Sequence, residues 1–405
     1  MTSGAEPFAG GRLRPVAVAA SVLFVVGCAV AYGGLLSHAY PGDAGTYAEY
    51  ARELVRDHRI PYRDFYIEYP PGAVPVFLAP ALVWDAHYIL VHKLLMTACG
   101  VGFVVCAAWI LRRLGLSYLR LAPVVLAPPL MGPVFLNRYD PVAALLGSLA
   151  LVALLRGRER ESGATLGAAT AIKLYAAVFV PVAARRVRDR VGSAVAYVVG
   201  AAVFVLPFFL LAPGGVGWSL WTQLRRHLQI ESLGASILLV WSKLGIHHVN
   251  WVAGSPGSVD VDGFLADAIG MLTSLVAVAL VLLVAWTYWR GPDDDARLVT
   301  AWAASITAFT VFSKVLSPQY MTWLAPLVPL AAGRKGAYAA CTFLAALVLT
   351  QPEYIVDKHG LQAQNWAVWA LAARNGFLVA TFVFLYLQLR GEPGQATPEA
   401  GSHRA

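Results

Sequence analysis

Six of the chain's 23 acidic residues, Asp43, Glu49, Glu53, Asp57, Asp64 and Glu68, fall in one stretch, GDAGTYAEYARELVRDHRIPYRDFYIEYPPG, which starts at Gly42 and ends at Gly72. Carboxylates gathered in this way can take protons from hydroxyls or orient them. Asp43 follows a Pro-Gly turn and precedes the helical pattern AGTYAEYARELV. Two readings of it stay open and are compatible: an N-cap that accepts first-turn amides, and a carboxylate fixed at the mouth of a cavity. In PYRDFYIEYPPG, Arg63, Asp64 and Glu68 join an aromatic ladder that includes Tyr69 and ends at Pro-Pro-Gly. Anchoring at a membrane interface suits the tyrosines and explains the acids poorly.

A second set of residues is cationic. LRRHLQIES holds Arg225, Arg226, His227 and Glu231. It reads either as a solvated helix face with Arg/Glu pairs about four apart or as a site for a phosphate-bearing ligand, which guanidinium groups bind bidentately. Lys173 and Lys314 interrupt apolar sequence, Lys314 in KVLSPQY with Gln319 and Tyr320, and Arg138 lies in NRYD. Intramembrane cations are costly enough to point to function.

The elements that must hold these groups are membrane helices. Of 405 residues, 58% are hydrophobic and 13% charged, well below the roughly one-quarter charged residues of soluble domains. Residues 16–36, 265–289 and 366–389 are nearly free of charge, and about 20 such residues cross a hydrocarbon core of about 30 Å. The net charge of +8 falls in short clusters between apolar spans, as the positive-inside rule distributes it, so no nucleic-acid partner is expected. Arg12 and Arg14 before the first span resemble a signal sequence, but the apolar run is too long for a cleaved one. Cys28, Cys99, Cys106 and Cys341 lie in apolar segments, and His87, His92, His247 and His248 lack carboxylate or Cys partners in sequence, so neither disulfide nor metal is expected. Gly163 and Gly167 suit small-residue helix packing.

With 1–14 as a cytoplasmic tail, the first span exits near His38 and residues 38–85 form an external loop. Further spans are expected at 86–111, 121–136, 141–155, 192–212, 265–289, 298–313, 318–332, 337–350 and 366–389, with a second external loop at 213–264 and a disordered cytoplasmic tail at 391–405. Residues 162–184 sit between two basic clusters that both favour the cytoplasm, which a re-entrant pair of half-helices turning near Lys173 satisfies. The expectation is an all-α polytopic bundle of about ten transmembrane helices plus re-entrant or interfacial helices, forming one domain over residues 15–390.

The ordered set GDAGTYAEYA, PYRDFYIEYPPG, NRYDPVAALL, GAATAIKLYAAVFVP, RRHLQIES and FSKVLSPQYMTWLAP resembles the GT-C class of integral-membrane glycosyltransferases, most closely the polyprenol-phosphate-mannose-dependent enzymes of glycosyltransferase family 87. That resemblance implies a multi-pass protein of the bacterial plasma membrane. It would move a sugar, usually mannose, from a polyprenyl-phosphate carrier to a glycolipid or glycan acceptor on the extracytoplasmic face, without cofactor or metal. Asp43 matches the position of the general base for inverting transfer. Asp64, Glu68, Tyr69, Arg63, Glu231, Gln319 and Tyr320 are then candidates for binding acceptor and sugar, and Arg225, Arg226, His227, Lys314, Lys173 and Arg138 for the donor phosphate. A transporter or flippase of lipid-linked sugars would also want intramembrane cations, but it commonly carries an internal repeat, and none is visible. An inactive scaffold of the same class would tolerate replacement of Asp43.

Overall fold

The computed structural model describes residues 10–37, 42–254, 258–355, 361–362 and 365–391. The expected exit near His38, residues 1–9 of the first tail and 392–405 of the last lie outside the described residues. Among the described residues, five helical stretches are long and apolar enough to cross a membrane: Leu13–Val30, Ala73–Arg113, Arg190–Leu211, Phe264–Arg290 and Trp366–Arg390. The first belongs to α1 (Gly10–Val30). The second is α3 (Ala73–Trp84) and α4 (Tyr88–Arg113), joined by a single 3-10 turn. An amphipathic helix, α2 (Asp43–Val55), lies between them and buries Ala44, Tyr47, Ala48 and Ala51, an i, i+3, i+4 stripe against the bundle.

Several of the other expected spans are shorter, broken or enclosed by protein. α5 (Ala122–Met131) and α6 (Pro133–Leu136) precede the NRYD tip, and α7 (Asp140–Leu155) follows it. α8 (Glu159–Ile172) stops at Lys173, whose backbone is extended (φ −152°, ψ 115°), and a 3-10 segment then leads into α9 (Val180–Arg186). The chain therefore breaks where the re-entrant turn is expected.

α8 packs along α10 (Arg190–Leu211) through the expected small residues. A Cβ at Gly163 would overlap the Ser193 carbonyl, and one at Gly167 the Tyr197 carbonyl. Gly167→Ala is therefore expected to destabilise the bundle by about 1–3 kcal/mol through overpacking. Gly376→Ala, where a Cβ meets open space, should leave the detergent melting midpoint unchanged or raised. Equal midpoints for the two variants would show that the α8–α10 approach is looser than described.

The expected loop 213–264 is instead compactly folded. It holds α11 (Pro213–Arg225), α12 (Leu233–Lys243) and a small antiparallel sheet of β1 (Leu228–Gln229), β2 (Asn250–Ala253) and β3 (Val259–Asp262) in the order β1-β3-β2. Leu228 and Trp251 both register with Val261, and Leu228, Val261, Leu238 and Ala266 form a separate apolar cluster beneath the sheet. Alternating Val and Trp positions favour this pairing.

α13 (Phe264–Arg290), α14 (Asp295–Phe312), α16 (Gly333–Ile355) and α17 (Trp366–Arg390) complete the bundle. The expected crossing at 318–332 is not a continuous helix. It consists of a 3-10 turn at Pro318–Tyr320, α15 (Met321–Leu324) and a second 3-10 turn at Val328–Leu330. Pro318, Pro326 and Pro329 remove the amides that a helix requires. Met321, Leu324, Val328 and Leu330 are buried, so the broken backbone is enclosed by protein.

The basic clusters gather at one end of the bundle. Arg160 pairs with Asp189 at 2.6 Å, Arg113 with Asp295 at 2.7 Å, and Arg186 with Asp293 at 3.0 Å and Asp295 at 2.6 Å. Arg120 donates to the Ala331 carbonyl at 2.6 Å and the Gly333 carbonyl at 3.1 Å. Both ends of 162–184 thus meet the same cluster, as the positive-inside argument requires.

Candidate active site

Asp43 is the first residue of α2, and the cap position belongs to Gly42, whose positive φ of 52° places it in the left-handed region. The Asp43 side chain therefore does not cap the helix. It forms an ion pair with Arg138, and its Oδ2 accepts a hydrogen bond from the Tyr69 hydroxyl at 3.3 Å. Tyr69 is in turn wedged edge-on against Tyr47, Phe77 and Tyr139, with ring centroids 5.4–5.5 Å apart. This aromatic packing fixes the hydroxyl that faces Asp43.

The segment leading to Tyr69 is tied down by its backbone. The Tyr62 hydroxyl donates to the Tyr69 carbonyl at 2.7 Å; from α11, Ser219 Oγ donates to the same carbonyl at 3.0 Å and Gln223 Nε2 to the Glu68 carbonyl at 2.8 Å. Gly72 N donates to the Ala171 carbonyl at 3.0 Å, and a Cβ at Gly72 would lie 2.5 Å from that carbonyl carbon. The Pro-Pro-Gly stop thus docks on the end of α8, at Ala171, two residues before the chain breaks at Lys173.

Lys173 donates to Asp140 Oδ1 at 2.7 Å, and the Trp323 indole donates to the same oxygen at 2.6 Å. Asp140 is 1% exposed, and its other oxygen is buried without a hydrogen-bond partner among the described residues. The Lys173 ammonium also lies 4.4 Å from the Tyr139 ring centroid and 5.2 Å from that of Trp323. Trp323 is stacked between Tyr175 and Tyr320, at 3.9 Å from each. A buried ammonium is tolerated because a carboxylate and aromatic faces surround it.

Arg226 leaves the end of α11 and reaches Ser258 Oγ at 3.4 Å; Lys314, beyond the end of α14, donates to the Leu224 carbonyl at 2.8 Å. Burial, with Arg226 nearby, holds the Lys314 ammonium below the usual lysine range. The Lys314 carbonyl accepts from Gln229 N at 3.0 Å, so the small sheet and this tip position each other. Glu231 Oε2 accepts from Gln229 Nε2 at 2.7 Å, and its carbonyl accepts from Arg374 of α17 at 2.7 Å.

These groups line one cavity of about 450 Å³, within the size range of small-ligand sites. Asp43, Glu68, Tyr69, Arg138, Lys173, Arg226, Glu231, Lys314, Gln319 and Tyr320 all face it. Among the described residues its wall carries four cations and three carboxylates. Arg138 is matched by Asp43 and Lys173 by Asp140, whereas Arg226 and Lys314 rest on neutral oxygens.

Four of the candidate residues stand elsewhere. Arg225 lies over the Trp221 ring at 4.6 Å, and His227 Nδ1 is 3.4 Å from Asp267 Oδ1. Arg63 and Asp64 pair with each other at 2.9 Å in a second cleft. Arg63 and the Ile60 amide hold the Asp64 carboxyl down to about 2. The sequence argument did not single out Tyr139, Asp140, Gln229 or Trp323. Asp140 was visible as the acid of NRYD, but its partner is 33 residues away.

Two comparisons with known proteins find a match. The model of glycosyltransferase family 87 matches residues 66–318, a stretch that runs from the Glu68 segment to the start of the Gln319 tip and leaves Asp43 outside it. No curated protein sequence matches the chain. Among solved structures, that of ArnT from Cupriavidus metallidurans bound to undecaprenyl phosphate aligns with a TM-score of 0.50 and 16% identity, covering 94% of this chain and 77% of that one. At that identity the likeness is one of fold, the helical membrane architecture of the GT-C class. Because the family model matches more than half of the chain, this protein belongs to glycosyltransferase family 87.

Proposed function

We propose that the chain transfers a hexosyl group, mannose above all, from a polyprenyl-phosphate carrier to a hydroxyl of a glycolipid or glycan acceptor, with inversion and without metal. The observation that carries this reading is the division of charge in one cavity, with a tethered carboxylate at Asp43 and two cations, Arg226 and Lys314, resting on neutral oxygens. The acceptor hydroxyl attacks the anomeric carbon and gives its proton to the Asp43 carboxylate, through the oxygen other than the Oδ2 that Arg138 and Tyr69 hold. The bond from that carbon to the phosphate oxygen breaks, and its electron pair leaves on the polyprenyl phosphate. Charge grows on the phosphate as this bond breaks, so cations there act in the transition state. Arg138 and Tyr69 aim the carboxylate, while Glu68, Glu231, Gln319 and the Tyr320 ring hold sugar hydroxyls and faces. The ArnT structure, with undecaprenyl phosphate bound in a similar fold, supports a carrier of this chemical class.

In this reading the cavity faces the extracytoplasmic side of a plasma membrane, and residues 15–390 act as one domain with cytoplasmic tails. The gathering of the basic clusters at one end of the bundle supports that orientation. A flippase would need the same cations but no base, so the fate of the proton separates the two readings.

Arg226→Gln and Lys314→Met are each expected to lower turnover at saturating donor about a hundredfold, roughly 3 kcal/mol of transition-state stabilisation. Arg225→Gln, one residue away and outside the cavity wall, should change turnover less than about threefold, as befits an exposed charge. Equal losses for Arg225 and Arg226 would remove the phosphate from this part of the cavity.

A further inference from the structure

The loop between α2 and α3 builds a second cleft that the transfer step does not use. Its walls are the turn at residues 59–66 and the first turns of α11. Tyr66 and Trp218 stand side by side across it, with ring centroids 4.7 Å apart and planes at 40°. Both rings are open, Tyr66 at 71% and Trp218 at 41% exposure. Beside them the Arg63 guanidinium grips both Asp64 oxygens, at 2.9 and 3.0 Å. Arg59 is engaged by Glu53 at 2.5 Å and by the Asp64 carbonyl at 2.5 Å.

The floor of the cleft is built rigidly. Tyr62 adopts a positive φ of 68°, which a non-glycine residue holds only when its surroundings enforce it. A Cβ at Gly215 would overlap the Tyr62 carbonyl, so α11 sits directly on this turn. The cleft also shares its supports with the main cavity. Trp218 precedes Ser219, which holds the Glu68 and Tyr69 carbonyls. Ile67 is buried, and its two neighbours go to different sites, Tyr66 to the cleft and Glu68 to the cavity.

The chemistry of this cleft favours an uncharged polyol. Its arginines are already matched by carboxylates, which leaves little attraction for an anion. Aromatic faces with a paired guanidinium and carboxylate alongside offer an apolar platform together with fixed donors and acceptors, the combination that a sugar ring presents in reverse. We propose that this cleft binds a sugar of the acceptor glycan distal to the one whose hydroxyl enters the Asp43 cavity, so that the enzyme measures acceptor length. The proposal rests on the transferase reading for its acceptor, but the binding itself can be measured without transfer.

Purified protein in nanodiscs would be titrated with soluble mannotriose and maltotriose by saturation-transfer NMR. Tyr66→Ala, Trp218→Ala and Arg225→Gln, the last outside both the cleft and the Asp43 cavity, would be run beside the parent. Saturable binding of a trisaccharide to the parent is expected, weakened about tenfold or more by removal of either ring and unchanged in Arg225→Gln. Where the parent transfers label, the same two ring variants should raise KM for a multi-sugar acceptor and leave kcat and the KM of a single-sugar acceptor near the parent's. No trisaccharide binding by the parent, or binding that survives loss of both rings, overturns the proposal and leaves Tyr66 and Trp218 as interfacial anchors. Ring-dependent binding in a protein that transfers no sugar supports the cleft as a glycan site and contradicts the transferase reading instead.

Discussion

Asp43→Asn is expected to lower kcat at least about a thousandfold, toward the upper part of the range for a lost general base. The amide oxygen can still accept from Arg138 and the Tyr69 hydroxyl, so the side chain stays where it is while its basicity is lost. Asp43 is not a cap, and Gly42 holds that position, so helix α2 keeps its cap and gives up only the carboxylate's interaction with the helix dipole, about 0.3–1 kcal/mol. The ion pair with Arg138 is partly open, at 21% and 17% side-chain exposure, and its loss should cost about 1 kcal/mol or less. Single-turnover transfer at saturating donor and acceptor, with a melting curve in the same detergent, separates these effects. Turnover within about threefold of the parent would reduce Asp43 to a partner that steadies Arg138.

Asp140→Ala should act on the fold. It leaves the Lys173 ammonium buried without its carboxylate and the Trp323 indole without its acceptor. Breaking a buried pair by removing one partner costs about 3–5 kcal/mol, whereas replacing both members by apolar groups is often near neutral. The Asp140→Ala/Lys173→Met double variant is accordingly expected to regain most of the melting midpoint that Asp140→Ala loses. Turnover of the double variant then tells what Lys173 does. Stability regained with activity still depressed assigns the ammonium to the ligand, and both regained assigns it to the break after α8. A midpoint for Asp140→Ala close to the parent's would contradict the buried geometry.

Charge carried most of what the sequence revealed. Basic clusters on both sides of 162–184 left a re-entrant break as the consistent solution, and α8 does stop at Lys173. The acid-rich loop placed Asp43, Glu68 and Tyr69 together before any distance was known. Apolar length hid the true form of 318–332, because a stretch of crossing length reads the same whether it is helical or broken; Pro318, Pro326 and Pro329 were the signal of the break. The small sheet within 213–264 was equally hidden, since two- and four-residue strands leave too short an alternation to register.

Neighbours in sequence were the hardest to tell apart. Arg225 closes the last turn of α11 and points to Trp221, while Arg226 has left the helix and enters the cavity. Successive helical side chains diverge by about 100°, so tertiary packing alone decides which arginine faces the cavity. Asp140 escaped notice for a related reason. NRYD offered Arg138 as its visible cation, and the pairing with Lys173 depends on how α7 lies against the end of α8.

The central claim is that the sugar arrives on a polyprenyl phosphate. Purified protein would be incubated with a membrane glycolipid extract and either labelled polyprenyl-phosphate mannose or labelled GDP-mannose, with Asp43→Asn run beside the parent. The account predicts labelled glycolipid from the polyprenyl donor alone, formed by the parent and not by Asp43→Asn. Label from GDP-mannose with none from the polyprenyl donor would contradict it.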